Sequence, residues 1–107
     1  MPRMLKSSTI TKALAPVHPG EVLREEFLEP LELSPYALAA DLHVPRTRIE
    51  RLVREETALT PDTALRLARY FGTTPQFWLA IQLRYDLEMA EQDSGKDIAA
   101  IKPRKIA

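Results

Sequence analysis

The chain contains no cysteine. A disulfide framework, a thiolate nucleophile and a cysteine-ligated zinc site are therefore excluded, and the composition suits a reducing, cytoplasmic setting. Glycine is almost as scarce, with three among 107 residues. No glycine-rich loop that cradles a phosphate can be assembled from so few. The two histidines, His18 and His43, stand far apart in sequence, and neither H-E-x-x-H nor G-x-S-x-G occurs. No cluster of metal ligands is visible. The expectation is a protein with no catalytic residues, no metal and no cofactor, in which carboxylate pairs such as Glu25/Glu26 belong to a solvated helix face. No apolar run approaches the roughly 20 residues of a membrane span. The opening "MPRMLKSSTITKALAPV" has basic residues without an apolar centre, so a signal peptide is not expected. Net charge is missing too: fifteen basic residues balance fifteen acidic ones, which argues weakly against a non-specific nucleic-acid coat.

What the sequence does have is segregated charge. Residues 21–32 hold five glutamates against Arg24, and residues 86–97 hold five acidic residues against Lys96. Residues 45–54 reverse the balance, with Arg46, Arg48, Arg51 and Arg54 against Glu50. An arginine run by itself is most often a solvated helix face, so its local setting decides how it is read.

Prolines give that setting. "HPGE", "SPYA", "VPRT", "TPDT" and "TPQF" each place proline where a helix should start, because its missing N–H has no partner there. Ser34, Thr60 and Thr74 precede three of these prolines and can cap the helix with a side-chain oxygen. Pro30 should stop the first helix near Glu29, and Gly72 should stop the fourth. The expectation is all-α, with five helices over about 19–29, 35–42, 45–55, 61–71 and 75–92. Spacing assigns Leu23, Phe27 and Leu31 to the core, then Leu38 and Leu42, Ile49 and Leu52, and Ala64, Leu65, Ala68 and Phe71. "IAAI" near the end fits either a brief strand or a tail. A chain of this length makes one small domain. It buries only roughly 60–65% of its unfolded surface, so a second subunit would help it.

With Ile49 at the centre of the buried face, about 100° per residue turns Thr47, Arg51 and Arg54 almost directly outward. Arg46, Arg48 and Glu50 fall on the flanks. A short capped helix, a tight His43–Val44 turn and a second helix that is polar outward make a helix-turn-helix. Its second helix lies in the DNA major groove and offers its first residues to base edges. Arginine matches guanine O6 and N7 in bidentate geometry, and the positive helix N-terminus favours phosphate.

"SPYALAADLHVPRTRIERL" resembles the helix-turn-helix of Xre-type, lambda-repressor-like regulators, with Leu38, Ala39, Val44, Ile49 and Leu52 at core positions of the motif. Together with "HPGEVLREEFLEPLELS" and "TPDTALRLARYFGTTPQFWLAIQLRYDLEMA" it is similar to HigA-type antitoxins over residues 18–90. His43 departs from the glycine usual at that turn, where a left-handed backbone is expected. The resemblance implies a five-helix lambda-repressor-like domain, read here over 18–93, and the residues on either side are read as a flexible N-terminal arm (1–17) and a C-terminal tail (94–107). It also implies a homodimer on double-stranded operator DNA, repression of its own operon, and capture of a HigB-type toxin, a ribosome-dependent mRNA endonuclease. Carried onto this sequence, Arg46, Thr47 and Arg51 take base-reading positions. Arg48, Arg54, Ser34 and Tyr36 fall to the phosphates, and Tyr36 could equally pack partly into the core.

The fifth helix carries two apolar faces. Trp78, Ile81, Tyr85 and Met89 share one side, and Leu79, Leu83, Leu87 and Ala90 nearly the opposite one, with Gln82 and Asp86 between them on one flank and Arg84 and Glu88 on the other. One stripe serves a monomer core, so the stripe Leu79, Leu83, Leu87 is read as a dimer interface, the alternative being a helix buried centrally in its own domain. Phe77 and Trp78 are read as core anchors. The acidic first helix (Glu25, Glu26, Glu29) is the expected site for a basic toxin, since the fifth helix serves the dimer and the third the DNA. Two other readings remain. One is a solitary helix-turn-helix regulator without a toxin. The other is a protein-interaction module that no longer binds DNA, which would not need Arg46 and Arg51.

Overall fold

The computed structural model describes residues 15–106, and among them every element is helical. Helix α1 runs without a break through Pro19–Val22, Leu23–Leu28 and Glu29–Leu31. It is followed by α2 (Pro35–Leu42), α3 (Arg46–Val53), α4 (Pro61–Phe71) and α5 (Pro75–Ala99). The expected arm, residues 1–17, lies outside the described residues except for its last three.

The capping residues work as their chemistry requires. Ser34 Oγ accepts from the Ala37 N–H at 3.0 Å, Thr60 Oγ1 from Thr63 at 3.3 Å, and Thr74 Oγ1 from Phe77 at 3.0 Å. The first helix uses a cap the sequence did not reveal: His18 Nδ1 accepts from the Gly20 N–H at 2.9 Å. At the other ends the scarcity of glycine shows. Glu32, His43 and Glu55 all adopt the left-handed backbone, with φ of 51°, 61° and 63°, while Gly72 does so at 74°. Each of the three closes its helix in the same way. After α2, for example, Val44 N–H donates to Ala39 at 3.0 Å and His43 N–H to Ala40 at 3.2 Å. A side chain in this conformation costs on the order of 1 kcal/mol.

Several boundaries differ from expectation. Pro30 does not end α1. Residues Leu23–Leu28 form wide, π-helical turns, in which Glu29 N–H reaches back to Arg24. In an α-helix the Pro30 ring would collide with the carbonyl four residues earlier, and the wider turn moves that carbonyl aside. The change of register puts Leu28 into the core and leaves Leu31 59% exposed. Helix α3 is shorter than expected, because Pro45 is extended and Arg54 leaves the helix. Leu65 is not core but 59% exposed, one residue off the stripe of Ala64, Leu67 and Ala68. Helix α5 continues seven residues past 92, so "IAAI" is neither strand nor tail but the end of a helix. Ser94 and Gly95 are weak helix formers without being stops, and Lys96 suits the C-terminal dipole.

The core joins all five helices. Leu23, Leu38, Ile49, Leu67 and Trp78 are fully enclosed. Phe27 stacks against Phe71 at 4.8 Å and Trp78 at 5.0 Å between ring centroids. The Trp78 indole donates to Thr73 Oγ1 at 2.8 Å, which satisfies the polar end of a buried ring. Gln82, expected on a flank of α5, is buried instead. Its carbonyl accepts from the Leu59 N–H at 2.7 Å and its amide donates to Asp86 at 2.8 Å, so it pins the loop after α3.

Candidate nucleic-acid interface

Helix α3 is held from behind. Ile49, Leu52 and Val53 are buried against the other helices. From α1, Arg24 donates to the Val53 carbonyl, which α3 itself leaves without a helical partner, and to Glu55 at 3.3 Å. The first turn of α1 lies directly on the Leu52 carbonyl, at Gly20. Beside it, the buried His18 ring meets Tyr85 edge-on at 4.8 Å. Burial pushes the His18 pKa below its usual value against the opposing pull of Glu55 and the Thr57 backbone, which suits an imidazole acting as acceptor.

The opposite side of α3 is open. Arg46, Thr47, Arg48, Arg51 and Arg54 are all exposed. Arg46 lies 5.6 Å from the Tyr36 ring centre and 3.4 Å from Glu50 within its own helix. Tyr36 is 61% exposed and so contributes to this surface, not to the core. Ser34 sits beside it as the α2 cap. Arg51 makes no ion pair among the described residues, and it borders a shallow cleft with Thr47, Thr57 and Thr60. Arg54 reaches Glu56 only at 3.8 Å. Spacing turned Thr47, Arg51 and Arg54 outward with Arg46 and Arg48 on the flanks, and the structure leaves all five exposed.

Arg48 stands apart. Its guanidinium is 2.5 Å from Asp62 Oδ2 on α4, and Arg66 Nε donates to the same oxygen at 2.9 Å. Arg66 also donates to the Leu42 carbonyl at the end of α2, at 2.8 Å. Arg48, then Arg66, hold the Asp62 carboxyl below the usual carboxylate range. Sequence reasoning passed over Asp62 and Arg66. The i,i+4 spacing of that pair was readable, but the contact to Arg48 crosses fourteen residues and carries no local signal.

Of the acidic residues on α1, Glu25 pairs with Arg24 at 3.2 Å and is half-buried, while Glu26 and Glu29 are exposed. On α5, Leu79 packs partly against the core, and Leu83 and Leu87 are each 60% exposed. Among the described residues no metal-binding cluster is present, and no helix is long and apolar enough to cross a membrane.

Known proteins resemble this chain in sequence and in fold. A family of sequences described as helix-turn-helix matches residues 25–78. Virulence-associated protein I of Dichelobacter nodosus is 60% identical over 77 residues, which cover 72% of this chain and 71% of that one. Antitoxin HigA-1 of Vibrio cholerae is 38% identical over 88 residues, covering 82% and 83%. The solved structure of Pseudomonas aeruginosa antitoxin HigA with the higBA promoter superposes with a TM-score of 0.81 at 44% identity, over 84% of this chain and 99% of that one. The chain therefore belongs to the Xre-like helix-turn-helix family that includes the HigA antitoxins, a family of antitoxins and transcription regulators and not of enzymes.

Proposed function

We propose that the protein is the antitoxin of a cytoplasmic two-component module, binding operator DNA as a homodimer, repressing its own operon and neutralising a HigB-type mRNA endonuclease. The observation that carries the DNA half is the open arginine face of α3, braced on its other side by α1. Its likeness to an antitoxin solved with its promoter supports the same reading. In the major groove Arg46, Thr47 and Arg51 meet base edges. Arg54, Ser34 and Tyr36 meet phosphates and fix the register.

Binding to the DNA upstream of the gene, titrated with salt, tests this. Arg51→Ala should cost on the order of 1–3 kcal/mol on the operator and relax preference at one base pair. Arg54→Ala should weaken every sequence alike and flatten the salt slope by about one unit. Two variants that bind the operator like wild type would remove α3 from the interface.

For the toxin, the favoured surface is the acidic face of α1, Glu25, Glu26 and Glu29. A nuclease that binds RNA is basic, and complementary charge steers encounter more than it sets final affinity. Glu25 also braces Arg24, so Glu26→Lys with Glu29→Lys makes the cleaner test. Toxin association should slow for that pair, most at low salt. Slowing instead for Glu88/Glu91/Asp93→Lys would move the surface to α5 and leave the antitoxin reading intact. If no toxin gene adjoins this one and none binds, the protein is a solitary repressor.

A further inference from the structure

Among the arginines of residues 46–54, Arg48 alone has its guanidinium engaged by a carboxylate of another helix among the described residues. Arg46 pairs within α3, and Arg54 only loosely with Glu56 two residues on. The carboxylate that holds Arg48 is itself oriented. Asp62 receives Arg66 on the same oxygen, and Arg66 is anchored in turn on the Leu42 carbonyl beside the helix-turn-helix bend. The chain Leu42, Arg66, Asp62, Arg48 therefore runs from α2 through α4 to α3. Asp62 lies in the first turn of α4 and remains 54% exposed at its side chain, so solvent and DNA can both reach it.

We infer that Asp62 sets the protein's affinity for DNA of any sequence: it holds Arg48 off the phosphate backbone and so withholds one phosphate contact. This rests on α3 being the DNA-binding helix. The argument is one of exchange. Moving Arg48 to a phosphate breaks a short charge-assisted bond to make another, and the gain is small. Non-specific binding depends almost wholly on the number of phosphates neutralised, so one arginine withheld is felt in full. Operator binding adds base contacts from Arg46, Thr47 and Arg51 but loses the same phosphate contact, because phosphates carry no sequence information. The family resemblance implies a phosphate contact for Arg48, and the structure gives it a different partner.

The test measures dissociation constants for an operator duplex and a scrambled duplex across a salt series. Asp62→Asn keeps the shape and removes the charge that holds Arg48. Its affinity for the scrambled duplex should rise several-fold at low salt, with a slope steeper by about 0.9. That advantage should shrink by about 3.5-fold between about 50 and about 200 mM salt, as one added phosphate contact requires. Affinity for the operator should rise by the same factor, so that the ratio of the two stays unchanged. Arg48→Ala alone should leave the scrambled-duplex slope unchanged, and in the Asp62→Asn background should abolish the gain. A slope flattened by about 0.9 in Arg48→Ala alone would show Arg48 already on phosphate and overturn the inference, even if Asp62→Asn fails to fold. Weakening of both duplexes by Asp62→Asn with an unchanged slope would reduce Asp62 to a structural brace and overturn it as well. Wild-type protein with no salt-dependent affinity for either duplex would overturn the DNA reading of α3 together with this one, which distinguishes the two failures.

Discussion

Gly20→Ala is expected to lower the melting temperature by more than about 12 °C, the equivalent of roughly 3 kcal/mol in a domain of this size. A methyl group at Gly20 would stand 1.8 Å from the Leu52 carbonyl oxygen and 2.9 Å from its carbon, with His18 Nδ1 at 3.1 Å. Both Leu52 atoms are backbone, so no side chain can swing away. Either the first turn of α1 lifts off α3 or α3 is pushed outward. Lifting also pulls the Gly20 N–H away from His18, which caps that turn at 2.9 Å. Overpacking of a tight site typically costs about 1–3 kcal/mol and occasionally more, and a clash between two backbones belongs at the upper end. Gly95→Ala is the matched control. Nothing lies within 4 Å of that added methyl group, and an alanine within a helix should stabilise by about 0.5–1 kcal/mol. Thermal melts of the two variants beside wild type check both signs. A Gly20→Ala protein that melts within about 3 °C of wild type would show that the α1–α3 contact yields easily.

That contact also shows where the sequence stops being legible. Local signals were readable because they are local. A serine or threonine before proline caps a helix whatever surrounds it, and Ser34, Thr60 and Thr74 all do so. The left-handed turn at His43 could be expected from the motif alone, and the backbone takes it. Failures began where a distant element decides. Pro30 reads as a stop, yet a π-helical turn absorbs it and shifts the register that spacing had assumed for Leu31. Gln82 reads as a polar flank, but the Leu59 N–H, 23 residues away, needs its carbonyl. At the interface the direction of each arginine followed from helical periodicity, whereas the partner of Arg48 did not. Periodicity gives the angle of a side chain about its own helix. It says nothing of what α4 places opposite.

Leu83→Glu is expected to convert the proposed homodimer into a monomer and to reduce operator affinity by about 10²–10⁴-fold, the range over which linking two binding sites raises apparent affinity. Helix α5 has 25 residues, of which only Trp78 and Gln82 are buried. Leu83 and Leu87 form an apolar strip, each 60% exposed, flanked by Arg84 and Glu88, which pair at 3.2 Å. Ala80 and Glu91 complete the same shallow surface. Two leucines one turn apart with charges beside them suit a copy of themselves, because a two-fold interface must be self-complementary. Complete burial of each leucine is worth about 1.5–3 kcal/mol, and a small domain has few other places to find it. A glutamate at 83 would meet its own copy near the axis, and each buried unpaired charge costs on the order of several kcal/mol. The single subunit should tolerate the change, because Leu83 contributes little to its own core. Light scattering should therefore give half the wild-type mass, and circular dichroism an unchanged helical signal. DNA binding should fall because one α3 is left to hold one half-site, while a pair spans two about one helical turn apart. An unchanged dimer mass would place the interface elsewhere on the molecule. A wholesale loss of helix would show that this face of α5 belongs to the core of the single domain.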